Sequence, residues 1–238
     1  MRRQRLDQAM VDRGLVGSRS QAESYIKLGK VQVDGKTIVK SGFFVAPDSS
    51  LMLSVEEQYV SRAALKLASV AEQFGLNFNG KTVLDVGSST GGFTDYALRH
   101  GAARVIAVDV GTNQLHPNLR GDKRIELHEK TDVRDLKIHT VPDIVLIDVS
   151  FISLKEILPA VAKSSNARTQ IIAMVKPQFE AGKHQINKGV IKNDTMRRQI
   201  LKDFESWAKK MFLISAKADS GIAGAKGNRE RFFLLQLT

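Results

Sequence analysis

Cysteine is absent from the 238 residues. That excludes disulfides, thiolate metal sites and cysteine nucleophiles in one step, and it suits a protein of the reducing cytoplasm. No segment approaches the roughly 20 consecutive apolar residues that span a bilayer, so membrane insertion is not expected. The start, Met1-Arg-Arg-Gln-Arg-Leu-Asp7, is positively charged but no apolar stretch follows, which argues against a secretory signal. Histidines and carboxylates do not cluster at metal-ligand spacing, and no metal is expected.

What is present is the composition of a soluble globular protein, with 42% hydrophobic and 26% charged residues. The length allows one ordinary α/β domain plus something small. A formal charge of +11 suggests a polyanionic partner, nucleic acid first. The excess is spread along the chain, since residues 1–60 hold only 9 Lys and Arg against 7 Asp and Glu. Motifs must therefore locate the binding face.

The stretch Lys81-Thr-Val-Leu-Asp-Val-Gly-Ser-Ser-Thr-Gly-Gly-Phe93 organises the chain. Thr82 to Asp85 reads as a short buried strand, followed by a tight glycine loop that runs into a helix. Glycines let the backbone turn sharply and approach a ligand, and the free N–H groups of the following helix face it. The spacing is G-x-x-x-G-G with an acid two residues before the first glycine, unlike the dinucleotide fingerprint G-x-G-x-x-G. It resembles the loop of S-adenosylmethionine-dependent methyltransferases. The resemblance implies that Asp85 helps hold the methionine end, and that Gly87, Ser88, Ser89, Gly91, Gly92 and Phe93 form the rest of the cofactor cradle. Ser88, Ser89 and Thr90 either bind the cofactor carboxylate or merely shape the turn.

Around this loop the pattern alternates. Ser61 caps a helix to Phe74, closed near Gly75, with Ala64, Leu67, Ala68, Ala71 and Phe74 on one face and Lys66 on its flank. Arg104 to Val108 reads as a second strand ending at Asp109, about seventeen residues past the loop glycines, where a carboxylate holds a ribose hydroxyl pair. Asp132 follows a third short strand and either approaches the adenine or is an ordinary turn aspartate. Asp143 to Ile147 delivers Asp148 at a fourth strand end. A helix over Leu154 to Lys163 and a strand over Thr169 to Val175 lead to Lys176. Asp85, Asp109, Asp148 and Lys176 thus all sit at carboxyl ends of strands, where open α/β sheets carry their sites, and they point to one cleft.

Residues 177–190 lack periodicity and read as a loop beside the cleft, whose Lys183, His184 and Lys188 either meet RNA or are solvated. Asp194 is expected to cap a helix to about Lys210, with Phe204 and Trp207 in the core rather than forming a base-stacking platform. Two strands, Phe212 to Lys217 and Glu230 to Leu237, close the chain around a glycine-rich turn.

Residues 1–55 have their own logic. A helix opens at Arg5-Leu6-Asp7, with Leu6, Met10 and Val11 inward, and closes at Gly14. Ser18 caps a second helix carrying Ala22, Tyr25 and Ile26 inward, and Gly29 ends it. Lys30 to Val39 alternates as a hairpin around Asp34-Gly35. Arg5-Leu-Asp, Gly14-Leu, Ser18-Arg19, Ala22, Ile26, Gly29-x-Val31-x-Val33-x-Gly35, Val45 and Asp48 resemble the S4-type RNA-binding module. The resemblance implies that Arg5, Arg19, Lys27 and Lys30, with Arg62 beyond the module, contact RNA phosphates, a mode that gives affinity with little sequence information. Read singly, each is equally compatible with a solvated surface charge.

The second half carries a resemblance as well. Ser61-Arg-Ala-Ala-Leu-Lys66-Leu, Leu84 to Phe93, Asp148-Val-Ser-Phe, Val175-Lys-Pro-Gln-Phe-Glu180 and Gly227-Asn-Arg-Glu230 resemble the TlyA group, the haemolysin A-type ribosomal RNA methyltransferases, with relatives among FtsJ-type ribose methyltransferases. The resemblance implies a catalytic set of Lys66, Asp148, Lys176 and Glu230, S-adenosyl-L-methionine as cofactor, and ribosomal RNA or a ribosomal subunit as partner. The expected protein is cytoplasmic, a monomer or weak homodimer. The expected fold is α/β: a Rossmann-like class I methyltransferase sheet over residues 61–238, mostly parallel with an antiparallel strand near the C-terminus. A small α+β S4-type domain over 1–55 and a linker over 56–60 precede it.

The chemistry is consistent with that set. A ribose hydroxyl is a weak nucleophile that must lose its proton as it attacks a sulfonium methyl in line. Deprotonating an ordinary lysine at neutral pH costs about 4 to 5 kcal/mol. A lysine base therefore needs burial or a neighbouring ammonium to lower that cost, with carboxylates orienting the amines. Other readings compete. Asp148-Val-Ser-Phe151 partly matches the signature of amino-methylating enzymes, so base N-methylation is the alternative, disfavoured by missing prolines and the two lysines. A non-catalytic ribosome-assembly protein is a second. A haemolytic membrane protein is a third, with no spanning segment to support it. Carbon-5 methylation through a cysteine adduct is excluded by composition.

Overall fold

The computed structural model describes residues 3–54, 59–181, 190–191, 193–224 and 227–238. Lys183, His184 and Lys188, and residues 56–58 of the expected linker, lie outside these.

The N-terminal module starts with strand β1 (Gln4–Arg5) and helices α1 (Leu6–Asp12) and α2 (Arg19–Lys27). Ser18 caps α2 by accepting from the Gln21 amide, and Gly14 and Gly29 leave the two helices with positive φ. Strands β2 (Val31–Val33) and β3 (Lys36–Thr37) form the expected hairpin, with Asp34 and Gly35 both left-handed at the turn. Three short strands, β1 among them, were not legible in the sequence. Strand β4 (Phe44–Val45) pairs with β1, and β5 (Leu51–Leu53) pairs with the other side of β2. Leu6, Met10, Val16, Ala22, Tyr25, Ile26 and Val31 pack as the module's core.

Helix α3 (Arg62–Ala71) then precedes β6 (Thr82–Val86), α4 (Gly92–Arg99), β7 (Arg104–Val108), a 3-10 turn at Pro117–Leu119, and β8 (Ile125–His128). Strand β9 (Ile144–Ile147), helix α5 (Leu154–Lys163), strand β10 (Gln170–Val175) and the single turn α6 (Pro177–Glu180) follow. Helix α7 (Asp194–Ala208) and strands β11 (Phe212–Asp219) and β12 (Arg231–Leu237) close the chain. The seven long strands lie in the order β11-β12-β10-β9-β6-β7-β8, and β12 runs against both of its neighbours. This is the mostly parallel sheet with a C-terminal antiparallel strand that the sequence led us to expect.

The buried strands have both faces covered. Val83, Val105, Ile144, Ile172 and Phe232 pack toward α3 and α4. Leu84, Ile106, Val145, Ile171 and Phe233 pack toward α5 and α7. Each such apolar side chain contributes about 1.5–3 kcal/mol by leaving water. Trp207 and Phe204 join the second layer, with Phe204 edge-on to Phe233 at 5.2 Å, so that pair is core. One local expectation is corrected. Asn193, not Asp194, caps α7, its side chain accepting from the Thr195 and Met196 amides. Tyr59 and Val60, expected as linker, are anchored: the Tyr59 carbonyl accepts from Gln21 Nε2 at 3.2 Å, and the Val60 amide donates to Asp95 Oδ2 at 2.8 Å.

Gly92 sets the contact of α4 on α3. A Cβ there would run into Ser61 Oγ and lie 2.8 Å from Ala63 Cβ and 3.0 Å from the Ala64 amide nitrogen. We expect Gly92→Ala to lower the unfolding free energy by about 1–3 kcal/mol through overpacking, read as a drop in urea midpoint at unchanged m-value.

Candidate active site

Parallel pairing sets the ends of β6, β7 and β9 side by side, with Val86 opposite both Val108 and Ile147. The residues that follow must share one edge. At Gly87 the backbone has φ +81°, and a Cβ would lie 2.8 Å from the Asp148 carbonyl oxygen. Glycine there combines a left-handed turn with a close approach that a side chain would block. Ser89, with φ +46°, continues the turn and donates its amide to Asp109 Oδ2 at 2.8 Å.

Two adjoining depressions open at this edge. The larger, about 510 Å³, is lined by Gly87, Ser89, Asp109, Gln114, Asp132 and Asp148 together with Phe151. The smaller, about 150 Å³, is lined by Asp85, Ser88, Phe93 and Lys176, and it shares Gly87, Ser89, Asp148 and Ser150 with the first. Most of the expected cofactor residues therefore converge. Gly91 and Gly92 line neither depression. Gly91 turns the chain with φ +87° against Leu115 and Leu119, and Gly92 faces α3.

Asp85 is fully buried and accepts from Thr94 Oγ1 at 2.6 Å. Burial raises its carboxyl, the Thr94 hydroxyl pulls it partly back, and the charge of Asp148 raises it further, to about 7. Its Oδ1 and the Ser88 hydroxyl are buried without a hydrogen-bond partner among the described residues. Such atoms cost free energy until a ligand meets them. At the other end, Asp109 also accepts from the Gly111 amide at 2.7 Å. Asp132 is held by Arg134 through its side chain and amide, and those bonds keep its carboxyl below the usual range. It lines the cleft but has a protein partner already.

Lys66, which periodicity puts on the flank of α3, is 8% exposed, and its ammonium lies 2.5 Å from Glu230 Oε2. Lys176 pairs with Asp148 Oδ1 at 2.6 Å and donates to Ser150 Oγ at 2.8 Å. Val175 sits opposite Arg231, so Lys176 and Glu230 are the next positions on neighbouring strands. The two ion pairs are thus adjacent at the sheet edge. Lys66 and Glu230 line neither depression.

Several residues here escaped the sequence reading. Thr94, one helical turn into α4, became visible only as the partner of Asp85. Glu180 ends a motif the sequence singled out, yet it accepts from Ser153 Oγ and the Leu154 amide and so holds the start of α5. Burial raises its carboxyl against those bonds. Phe151 is 91% exposed, left-handed at φ +67°, and 5.1 Å from Phe179 at the mouth of the larger depression. Its signal was its position three residues past the strand-end Asp148.

On the N-terminal module, Arg5 and Arg19 are exposed but not independent. Both hold Asp7, which is fully buried: Arg5 through Nε and Nη2 at 2.9 and 2.8 Å, Arg19 through Nη2 at 2.9 Å. Lys27 and Lys30 are exposed, and Arg62 is half-buried at the start of α3.

A Rossmann-like sheet with a glycine loop after its first strand, acids at the following strand ends and paired lysines beside them defines a class I methyltransferase. More narrowly, residues 59–237 match the FtsJ-like methyltransferase family and residues 4–50 the S4 domain, and the chain belongs to the TlyA, or haemolysin A-type, group that joins the two. It is 38% identical to the 16S/23S rRNA (cytidine-2′-O)-methyltransferase TlyA of Mycobacterium tuberculosis, over 99% of this chain and 90% of that one. It is 37% identical to hemolysin A of Brachyspira hyodysenteriae, over 95% and 97% of the two chains. Among solved structures, a putative hemolysin from Streptococcus thermophilus superposes with TM-score 0.73 at 37% identity, covering 100% of this chain and 90% of that one. No helix among the described residues is long and apolar enough to cross a membrane.

Asp7 generates a stability prediction with a definite sign. Burial alone would raise its carboxyl, but the hydrogen bonds and charges of Arg5 and Arg19 outweigh that and hold it at about 2. A depressed folded value stabilises above the unfolded value and is lost as pH falls through the folded one. We expect Asp7→Asn to cost about 2 kcal/mol at pH 7, with the difference from wild type narrowing between about pH 4 and pH 2. Urea unfolding across that range measures it.

Proposed function

We propose that this chain transfers a methyl group from S-adenosylmethionine to the ribose 2′-oxygen of a nucleotide in ribosomal RNA. The observation that carries the reading is the adjacency of two lysine–carboxylate pairs, Lys66–Glu230 and Lys176–Asp148, at the sheet edge beside the glycine loop. The activities named for the M. tuberculosis relative and for the Campylobacter jejuni 23S rRNA (cytidine-2′-O)-methyltransferase TlyA, 42% identical over 75% of this chain, support the same substrate class.

The residues fit the cofactor. Buried, unpartnered Asp85 Oδ1 and Ser88 Oγ offer an acceptor and a hydroxyl to the amino-acid end, and Asp109 presents a carboxylate at the distance of the second strand for a ribose diol. When bound, S-adenosylmethionine supplies a methyl on a sulfonium, which needs no further activation. What remains is the acceptor. Lys176, directed by Asp148 and Ser150, is the group placed to accept the hydroxyl proton after giving one of its own to solvent. Lys66, held by Glu230, places a second cation next to the Lys176–Asp148 pair and adds to the positive field at the sheet edge, where negative charge develops on the acceptor oxygen. Phe151, backed by the half-buried Phe179, offers an exposed aromatic face at the mouth of the cleft on which the acceptor base stacks. Arg5, Arg19, Lys27, Lys30 and Arg62 supply phosphate contacts away from the cleft.

Labelled methyl transfer to purified ribosomal subunits, followed by nuclease digestion, tests the reading. A 2′-O-methylated nucleotide is expected; a methylated base, or no transfer by folded protein on intact subunits, sinks it. Lys66→Ala and Lys176→Ala should each lower transfer by at least about 100-fold with cofactor binding retained, and full activity in either would remove that lysine from the mechanism. Asp85 adds a pH signature. Its carboxyl is half protonated near pH 7, and an ammonium placed against it binds the carboxylate form better, so cofactor affinity should rise from about pH 5.5 to 7.5. Calorimetric titration should find that rise in the wild type and a flat profile in Asp85→Asn.

A further inference from the structure

The core of the N-terminal module contains two side chains from the other half of the protein. Leu65 of α3, 4% exposed, and Ile222, 2% exposed, pack with Leu6, Tyr25 and Ile26. Leu65 immediately precedes Lys66. Ile222 belongs to the short segment between β11 and β12, and that segment is keyed to Glu230 at two points. The Ser220 amide donates to the Glu230 carbonyl at 3.0 Å, and at Gly224 a Cβ would lie 2.7 Å from Glu230 Oε1. The Gly221 amide donates to Ser69 Oγ on α3 at 3.0 Å, and a Cβ at Gly221 would lie 3.8 Å from Leu28, which caps the end of α2. Both partners of the Lys66–Glu230 pair are therefore next to an apolar anchor sunk in the N-terminal module.

We propose that the N-terminal module braces this ion pair, with Ile222 as a positioning residue for the reaction, in addition to any contact the module makes with RNA. A nearly buried ion pair depends steeply on separation and angle, and its low-polarity surroundings give water little chance to compensate for a displacement. The 220–224 segment carries one large apolar side chain. Its seat in the module core is what holds the segment against Glu230. Truncating Ile222 leaves a cavity into which the segment relaxes, and the carboxylate moves with it. The module would then act on the turnover step and not only on substrate affinity.

The inference rests on the proposed methyl transfer, and the test separates the two. In steady-state transfer to purified ribosomal subunits, Ile222→Ala should lower kcat by about ten- to a hundredfold, while KM for subunits and the cofactor dissociation constant stay within about twofold. Ile222→Leu, which refills the seat, should restore most of the rate. A wild-type kcat in Ile222→Ala, or a loss that falls entirely in KM, overturns the brace. A second readout is free of activity: in Ile222→Val, amide hydrogen exchange across residues 62–71 and 228–232 should quicken at near-unchanged Tm, and unchanged exchange in both overturns the inference. Wild type that methylates nothing would refute the proposed function, with the exchange experiment still deciding the brace.

Discussion

The charge desolvated at the carboxyl edge of the seven-stranded sheet is the constraint on which the rest depends. Asp85 is buried outright, and Lys66 with Glu230, and Lys176 with Asp148, are largely removed from water. A buried ion pair is a poor source of stability, because desolvation offsets much of the Coulombic attraction. Such an edge survives only on a scaffold whose apolar layers supply the stability elsewhere. The two layers covering the sheet do this, and their strands are nearly uninterrupted runs of Val, Ile and Leu. The scaffold tolerates the edge because parallel pairing brings the carboxyl ends of β6, β7, β9 and β10 to one side, with the start of antiparallel β12 beside them, where loops rather than core must accommodate the polar groups.

Close backbone approach is the second requirement. Gly87 lets the end of β6 come against the Asp148 carbonyl, and Gly92 lets α4 come against the start of α3. These contacts link the glycine loop after β6 to the helix that carries Lys66. Asp95 extends the link, since it accepts from the Val60 amide and from Arg99. The same few residues thus connect the glycine loop, the start of α3 and the passage to the N-terminal module.

The N-terminal module shows a different electrostatic solution. Its buried carboxylate, Asp7, is matched by two exposed arginines rather than one. One negative charge against two positive ones leaves a net cation at the surface, oriented by hydrogen bonds from Arg5 and Arg19 that fix both guanidinium groups. Arginine suits this role because its planar fork is pre-organised for carboxylate on one side and phosphate on the other. The arginines read as surface charges in the sequence are therefore parts of one assembly.

The sequence by itself determined the class of sheet, its strand-end acids, both caps Ser18 and Ser61, the hairpin at Asp34-Gly35 and the core placement of Phe204 and Trp207, because these follow from local periodicity, turn chemistry and propensity. It also placed Lys66, Asp148, Lys176 and Glu230 in one family pattern, though periodicity alone left Lys66 on a flank. Short strands such as β4 and β5 were not legible, since two or three residues carry no period and form only when a distant partner is present. Tertiary structure alone decided the pairing of Lys66 with Glu230 and of Lys176 with Asp148, the burial of Thr94 against Asp85, the diversion of Gly92 to helix packing, and the seat of Ile222 among residues some two hundred positions earlier. Each depends on register and packing between segments far apart in the chain, and a local pattern holds no record of either.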